Sequence, residues 1–213
     1  MKTLAVIALK GGSGKTTVAA HLALAAHLRG LNALVVDIDP QRSVSDILSA
    51  REAAGPACVT AVGRNVPAAQ FGALAEGRDL MIVDTPAGDV EGVGEALVVA
   101  DHALLVARPT LIDLAGLART LQVARRLKRP ATVVVNQAPV PREGAEAPLV
   151  KRALKGLDYM QADRAPVILR ARTVYQTALE RGRSAEEMAD RAAAAEVAAL
   201  WDFVAGTMGM KAR

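Results

Sequence analysis

The stretch Lys10-Gly11-Gly12-Ser13-Gly14-Lys15-Thr16-Thr17 constrains this 213-residue chain more than any other. An apolar run, residues 4–9, precedes it, and an alanine-rich pattern of helical period, residues 18–28, follows it. The order is strand, glycine loop, helix. Glycines let a backbone take positive φ and present its N–H groups to a ligand with no side chain between. A helix opening at Thr16 aims its free N–H groups and the positive end of its dipole at an anion. Together these make a cradle for a phosphate chain. Its expected contacts are Gly11, Gly12, Ser13, Gly14, Lys15, Thr16 and Thr17. Lys15 is expected on the β and γ phosphates, the Thr16 hydroxyl on Mg²⁺, and Thr17 on the α phosphate. The strict Walker A form has its first glycine at position 9, where this chain has Leu9. The loop is therefore a deviant form, with a second lysine, Lys10, at its entrance. A lysine there neutralises phosphate charge in its own subunit or reaches into a partner's site. The second option would make nucleotide binding and dimerisation one event.

Beyond the loop, short apolar runs alternate with helical patterns. Residues 33–36, 80–83, 102–107, 131–135 and 166–169 read as strands, with a further short one at 59–62 in a segment rich in Gly, Pro and Ala. Helices are expected over 18–28, 89–99, 112–127, 148–157, 173–181 and 185–207. Ser43-Val44-Ser45-Asp46 opens a short helix under a capping pattern. Such alternation marks an α/β fold: a doubly wound, mostly parallel sheet with helices on both faces. One domain, residues 1–213, accommodates all of it. Ligands of such sheets bind at the carboxyl ends of strands. The glycine loop, Asp37, Asp39, Asp84 and Asn136 all fall there.

Asp84 has the place of a Walker B carboxylate, holding a water of the Mg²⁺ shell. Asp37 and Asp39 alternate across one strand end. Asp39 is the expected orienter of the attacking water, and Asp37 a support for the Mg²⁺ shell. Phosphoryl transfer needs positioning and charge neutralisation more than covalent chemistry. His21, His27 and His102 lie on helix or strand patterns, so no Ser-His-Asp or Cys-His arrangement competes.

Composition narrows the classes. At 52% hydrophobic, the chain can bury a sizeable core. No apolar run approaches the roughly 18 residues of a membrane span. The chain opens on a strand pattern without an export signal, which leads to the expectation of a cytoplasmic protein. Cys58 is alone, which excludes an internal disulfide and an all-cysteine cluster. Charge is unevenly spread. Residues 1–100 hold 8 Lys and Arg against 10 Asp and Glu, and the remainder holds 18 against 12. The basic residues cluster at Arg125-Arg126-Leu127-Lys128-Arg129, at Lys151, Arg152 and Lys155, at Arg170 with Arg172, and at Arg181 with Arg183. Only 2% of residues are aromatic, so base stacking is not supported. Contact with a nucleic-acid phosphate backbone, without sequence reading, fits better.

Three segments together, Lys10-Gly-Gly-Ser-Gly-Lys-Thr-Thr17, Asp37-Ile-Asp-Pro-Gln41 and Asp84-Thr-Pro-Ala-Gly88, resemble the ParA/MinD family of deviant Walker ATPases. Pro109-Thr-Leu-Ile-Asp113, Arg172-Thr-Val-Tyr175 and Gly182-Arg-Ser184 resemble later segments of short plasmid-partition ParA proteins. The expectation of a chain without an N-terminal DNA-reading domain fits the same short class. Arg42 departs from the pattern, standing where many members have glycine or another small residue. The resemblance implies an ATP-sandwich homodimer with Lys10 crossing to the other subunit's phosphates. It implies non-specific DNA binding by a nucleoid-associated dimer, weak ATP hydrolysis, and stimulation by a ParB-like or cargo-adaptor protein. It places Asn136 at the adenine and makes the segment from Pro166 to Leu169 a wall for the base. A second reading, a membrane-cycling ATPase of the MinD kind, needs a terminal amphipathic helix. Val197, Leu200, Trp201, Val204 and Met208 form an apolar stripe, with Lys211 and Arg213 beyond it. A stripe carrying Glu196 and Asp202 fits a helix packed on the core better. A third reading is a metabolic enzyme on the same scaffold, such as a dethiobiotin synthetase-like ligase. A nitrogenase iron-protein role is excluded by the single cysteine.

Overall fold

The computed structural model describes residues 1–210. Lys211 and Arg213 of the membrane reading lie outside the described residues. Among the described residues seven strands form one sheet: β1 (Lys2–Ile7), β2 (Ala33–Asp37), β3 (Ala57–Thr60), β4 (Leu80–Asp84), β5 (His102–Ala107), β6 (Ala131–Ala138) and β7 (Arg164–Arg170). Their spatial order is β3-β2-β4-β1-β5-β6-β7, and every pairing is parallel. The four central strands β2, β4, β1 and β5 are buried nearly throughout, which is why they read as unbroken apolar runs.

Helices cover both faces. One core packs α1 (Lys15–Leu28), α2 (Ser43–Ser49), α7 (Val174–Leu179) and α8 (Arg191–Thr207) on the sheet. The opposite core packs α3 (Val66–Ala75), α4 (Val90–Val99), α5 (Leu111–Arg126) and α6 (Pro148–Tyr159). Every residue of α1 from Val18 to Ala26 is buried. Its alanines let α2 and α8 approach closely, so the helix that carries the phosphate loop sits inside the molecule rather than on it.

The structure departs from the sequence expectations in four places. A helix, α3, occupies residues that carry no helical period: Val66 and Ala73 are buried while Phe71 and Leu74 face solvent. The edge strand begins at Ala57 and ends at Thr60, short of the expected Val62. The expected last helix is two elements. Ser184 and Glu187 close a capping box around a single 3₁₀ turn, Ala185–Glu187, and Asp190 then caps α8 through the Ala192 and Ala193 N–H groups. The pattern at Ser43 does not cap α2. Arg42 precedes that helix with a left-handed φ of 53°, and Ser45 turns its side chain to Asp37 instead. The left-handed backbone explains why glycine is suited to this position.

Candidate functional site

The glycine loop leaves β1, the strand at the centre of the sheet, and enters α1. Gly12 and Gly14 have φ of 74° and 88°. A Cβ at Gly14 would overlap the Asn136 amide, so only glycine satisfies both backbone and space there. Two side chains at the end of β6 hold the loop from the side. Asn136 Nδ2 donates to the Ser13 carbonyl at 2.7 Å, and Gln137 Nε2 donates to the Gly12 carbonyl at 3.0 Å. Two of the loop's carbonyls are thereby tied to the side. Ser13 Oγ is buried with no partner among the described residues.

On the other side stands β4. Thr16 Oγ1 donates to Asp84 Oδ2 at 2.8 Å. Asp84 is fully buried, and its Oδ1 has no partner among the described residues. Burial pushes its pKa up to about 7; the Thr16 hydrogen bond opposes this and the neighbouring Asp37 adds to it. Lys15 is also buried, which lowers its pKa against the opposing pull of Asp84 and Asp39. Asp37 and Asp84 are register partners on adjacent strands, two carboxylates side by side. A buried carboxylate oxygen without a donor, next to a hydroxyl and a second carboxylate, calls for a cation. The donor set is all oxygen, as Mg²⁺ prefers. Thr16 is the residue that would hold it directly and Asp84 the one that would hold a water of its shell.

Asp37 spends its own oxygens within the protein. Oδ1 accepts from the Asp39 N–H at 3.1 Å, and Oδ2 accepts from the Ser45 N–H and hydroxyl at 3.1 and 2.8 Å. This brings the start of α2 and the Asp39 turn to the site. Asp39 is half-buried, and its Oδ1 accepts from the Gln41 N–H at 2.9 Å. It lines an open cavity of about 430 Å³ beside Asp37, with Pro40 and Asn65. Lys10 is exposed, its stem lying against Gly116 of α5. Thr17 lies on the far side of α1, in a cleft of about 300 Å³ shared with Asn136, Gln137 and the segment from Arg170 to Gln176.

The expected residues from Lys10 to Thr17, with Asp37, Asp39 and Asp84, thus surround one loop. Asn136 reaches it as a clamp on the loop that also borders the cleft. Pro166 does not join them. It is exposed on the edge strand β7, four residues before the strand's carboxyl end, and the cleft is lined by the segment after β7. That segment is held by a carboxylate on α8, which the sequence did not reveal. Glu196 accepts from the Arg170 N–H, the Arg172 guanidinium and the Tyr175 hydroxyl. Gln137 and Ser45 were also missed, since no spacing joins them to the loop. A cavity of about 580 Å³ lies elsewhere, between Arg51 and the turn near Arg181 and Arg183. Its three arginines are matched by Glu52, Glu180 and Glu187, and no loop residue lines it.

A parallel sheet with a phosphate-binding loop at its centre and a strand-end carboxylate on the adjacent strand defines a P-loop nucleotide-binding protein. Residues 4–179 match the model of the CobQ/CobB/MinD/ParA nucleotide binding domain, and the chain belongs to that family. Solved structures of similar fold include apo McdA from Cyanothece, with 20% identity, 96% of this chain and 99% of that one covered, and a TM-score of 0.80. The cell division ATPase MinD of Pyrococcus furiosus covers 97% of this chain and 99% of its own at 19% identity, TM-score 0.78. A plasmid partition protein of Borrelia burgdorferi, bound to AMPPNP, covers 97% and 99% at 14% identity, TM-score 0.74. Among curated proteins, one named replication protein A from Sinorhizobium fredii is 53% identical over 47 residues. That stretch is 22% of this chain and 12% of the relative.

Proposed function

We propose that this chain is an ATPase of the ParA positioning type. It binds ATP with Mg²⁺, dimerises across the nucleotide, holds DNA by its phosphate backbone, and releases it after hydrolysis stimulated by a ParB-like or cargo-adaptor partner. The observation that carries the proposal is the unpartnered Asp84 oxygen beside the Thr16 hydroxyl, at the mouth of a loop built for phosphate. The loop N–H groups and Lys15 take the β and γ phosphates. Thr16 would hold Mg²⁺ and Asp84 a water of its shell, and the ion would screen charge on the transferred phosphoryl group. Asp39 orients the attacking water, and Asp37 supports the metal shell while fixing the Asp39 turn. Thr17 meets the α phosphate. The adenine lies in the cleft beyond Asn136, walled by the segment after β7. Lys10, exposed at the loop entrance, crosses to the partner subunit and offsets the repulsion between two facing triphosphates.

The structure sorts the basic residues. Arg125 donates to the Met160 and Gln161 carbonyls, Arg170 pairs with Glu146, and Arg172 with Glu196. Arg119 and Arg126 of α5 and Lys151, Arg152 and Lys155 of α6 are exposed. These two helices pack together and supply the DNA face. The membrane reading has less support, because Val197, Leu200, Trp201, Val204 and Met208 are buried in the core. Among the described residues no helix is long and apolar enough to cross a membrane.

The test measures ATP affinity and phosphate release for the parent and Lys15→Ala, together with sedimentation on DNA and on liposomes with ATP or ADP. Loss of ATP binding in the variant and ATP-dependent sedimentation on DNA are expected. Unchanged ATP affinity in Lys15→Ala would remove the phosphate-loop assignment, and ATP-dependent sedimentation on liposomes alone would favour membrane cycling.

A further inference from the structure

We infer that Arg108, held by Asp113 against the crest of the glycine loop, binds the phosphate chain of the nucleotide. The inference rests on the reading of that loop as an ATP site. Arg108 follows β5, the neighbour of β1 on the side away from β4. It therefore flanks the loop opposite Asp84. A Cβ placed on Gly12 would lie 3.7 Å from Arg108 Nη1, so the guanidinium lies beside the loop at Gly12.

The arginine is anchored by one nitrogen. Its Nε donates to Asp113 Oδ1 at 3.3 Å. Asp113 is buried and fixed in turn. Its Oδ2 accepts from the Thr110 hydroxyl, and the same hydroxyl caps the Asp113 N–H at the start of α5. Pro109 disfavours helical backbone at Arg108, which keeps the side chain at the strand end rather than in the helix. Neither Nη has an acceptor among the described residues. A guanidinium has five N–H donors, so four are free. The fork is not spent on the carboxylate in a bidentate pair, as the Arg51 fork is on Glu187. Here the fork is turned to the loop and the side chain is about one-third exposed.

Phosphate is the ligand this arrangement suits. Planar paired donors match phosphate oxygens, and arginine keeps its charge beside a lysine, Lys15, whose pKa burial lowers. Arg108 is thus a phosphate-contacting residue, and Asp113 and Thr110 are positioning residues for it.

Calorimetric titration of ATP with Mg²⁺ tests this on the parent, Lys15→Ala, Arg108→Gln, Asp113→Asn and the Arg108→Gln/Asp113→Asn double variant, with unfolding midpoints measured alongside. Arg108→Gln should weaken ATP binding by about tenfold to a hundredfold, the range of one charge-assisted contact, at an unchanged midpoint. Asp113→Asn should cost less, and should cost nothing further once Arg108 is Gln. ATP affinity in Arg108→Gln within about twofold of the parent, with Lys15→Ala unable to bind, would overturn this inference and leave the loop assignment standing. An Asp113→Asn loss of equal size in both backgrounds would overturn the positioning role. If Lys15→Ala itself binds like the parent, the loop reading fails first.

Discussion

Single side chains decide this site because several of them are held against their solution preferences. Asp84 is the clearest: a carboxylate with one oxygen unsatisfied in the core costs stability that only a cation or a proton can return. Gly14 is constrained twice, by a φ of 88° and by the Asn136 amide that a Cβ would meet. Gly14→Ala should therefore abolish ATP binding and lower the unfolding midpoint, since strained backbone and a displaced clamp act together. A calorimetric titration with normal affinity would show that the loop relaxes around the methyl. Asp39 is placed differently. It is half-buried, it spends one oxygen on its own turn, and it lies within electrostatic reach of both Lys15 and Asp84. Asp39→Ala should keep ATP affinity within a few-fold while slowing phosphate release by about a hundredfold or more, the scale of a positioned proton acceptor. Phosphate release at the parent rate would move the water-orienting role to another group.

At the scale of elements, the helix that bears the loop is also a strut through one core. His21 of α1 sits between α7 and the turn after it. Its Nε2 faces the Tyr175 carbonyl at 3.2 Å, and its Nδ1 accepts from the Ala185 N–H at 3.2 Å. That pattern fixes a neutral ring with the proton on Nε2. Burial lowers its pKa to about 4, from 6.5 in the unfolded chain. Between those values the unfolded state holds more protons, so stability is complete above pH 6.5 and falls as pH drops towards 4. The shift corresponds to about 3 kcal/mol. Denaturant titrations at pH 7 and pH 4.5 should show His21→Asn losing less stability than the parent across that interval; equal losses would assign the acid sensitivity to other groups. Elements also show what the sequence could carry. The strands that flank the loop were legible because burial on both faces leaves an unbroken apolar run. The helix α3 was not, because its exposed Phe71 and Leu74 and its buried Val66 and Ala73 erase the helical period. The loop and Asp84 were legible because phosphate chemistry fixes residue types at fixed spacing. The clamp by Gln137 and the carboxylate of Glu196 depend on strand order, which brings residues more than 20 positions apart into contact and leaves no local pattern.

The whole molecule separates its chemistry from its charge. The candidate site's residues gather at the carboxyl edge of the sheet, while the exposed cations Lys151, Arg152 and Lys155 lie on α6, which packs on the core opposite to α1. The two lysines are four residues apart, hence on one face of the helix. Most other clustered arginines are occupied by carbonyls or carboxylates, so α6 together with α5 is the surface on which a polyanion meets the least competition. A single copy offers few cations to a duplex, and non-specific affinity grows with the number of phosphates neutralised. Under the proposed function, an ATP-held dimer would double that number on one duplex, so a nucleotide site remote from α6 would gate DNA binding without any change in the helix. The log of affinity against the log of salt should then fall with a slope of about −0.9 per neutralised phosphate, only when ATP is present. Replacing Lys151 and Lys155 together with alanine should flatten the slope by about 0.9 for each phosphate that is no longer neutralised, equally on duplexes of different sequence, with ATP binding unchanged. Fluorescence anisotropy with a labelled duplex over a salt series measures this directly. A slope unaltered by the double substitution would move the DNA face off α6, and an affinity that differs strongly between two duplexes would mean that bases, and not only phosphates, are read.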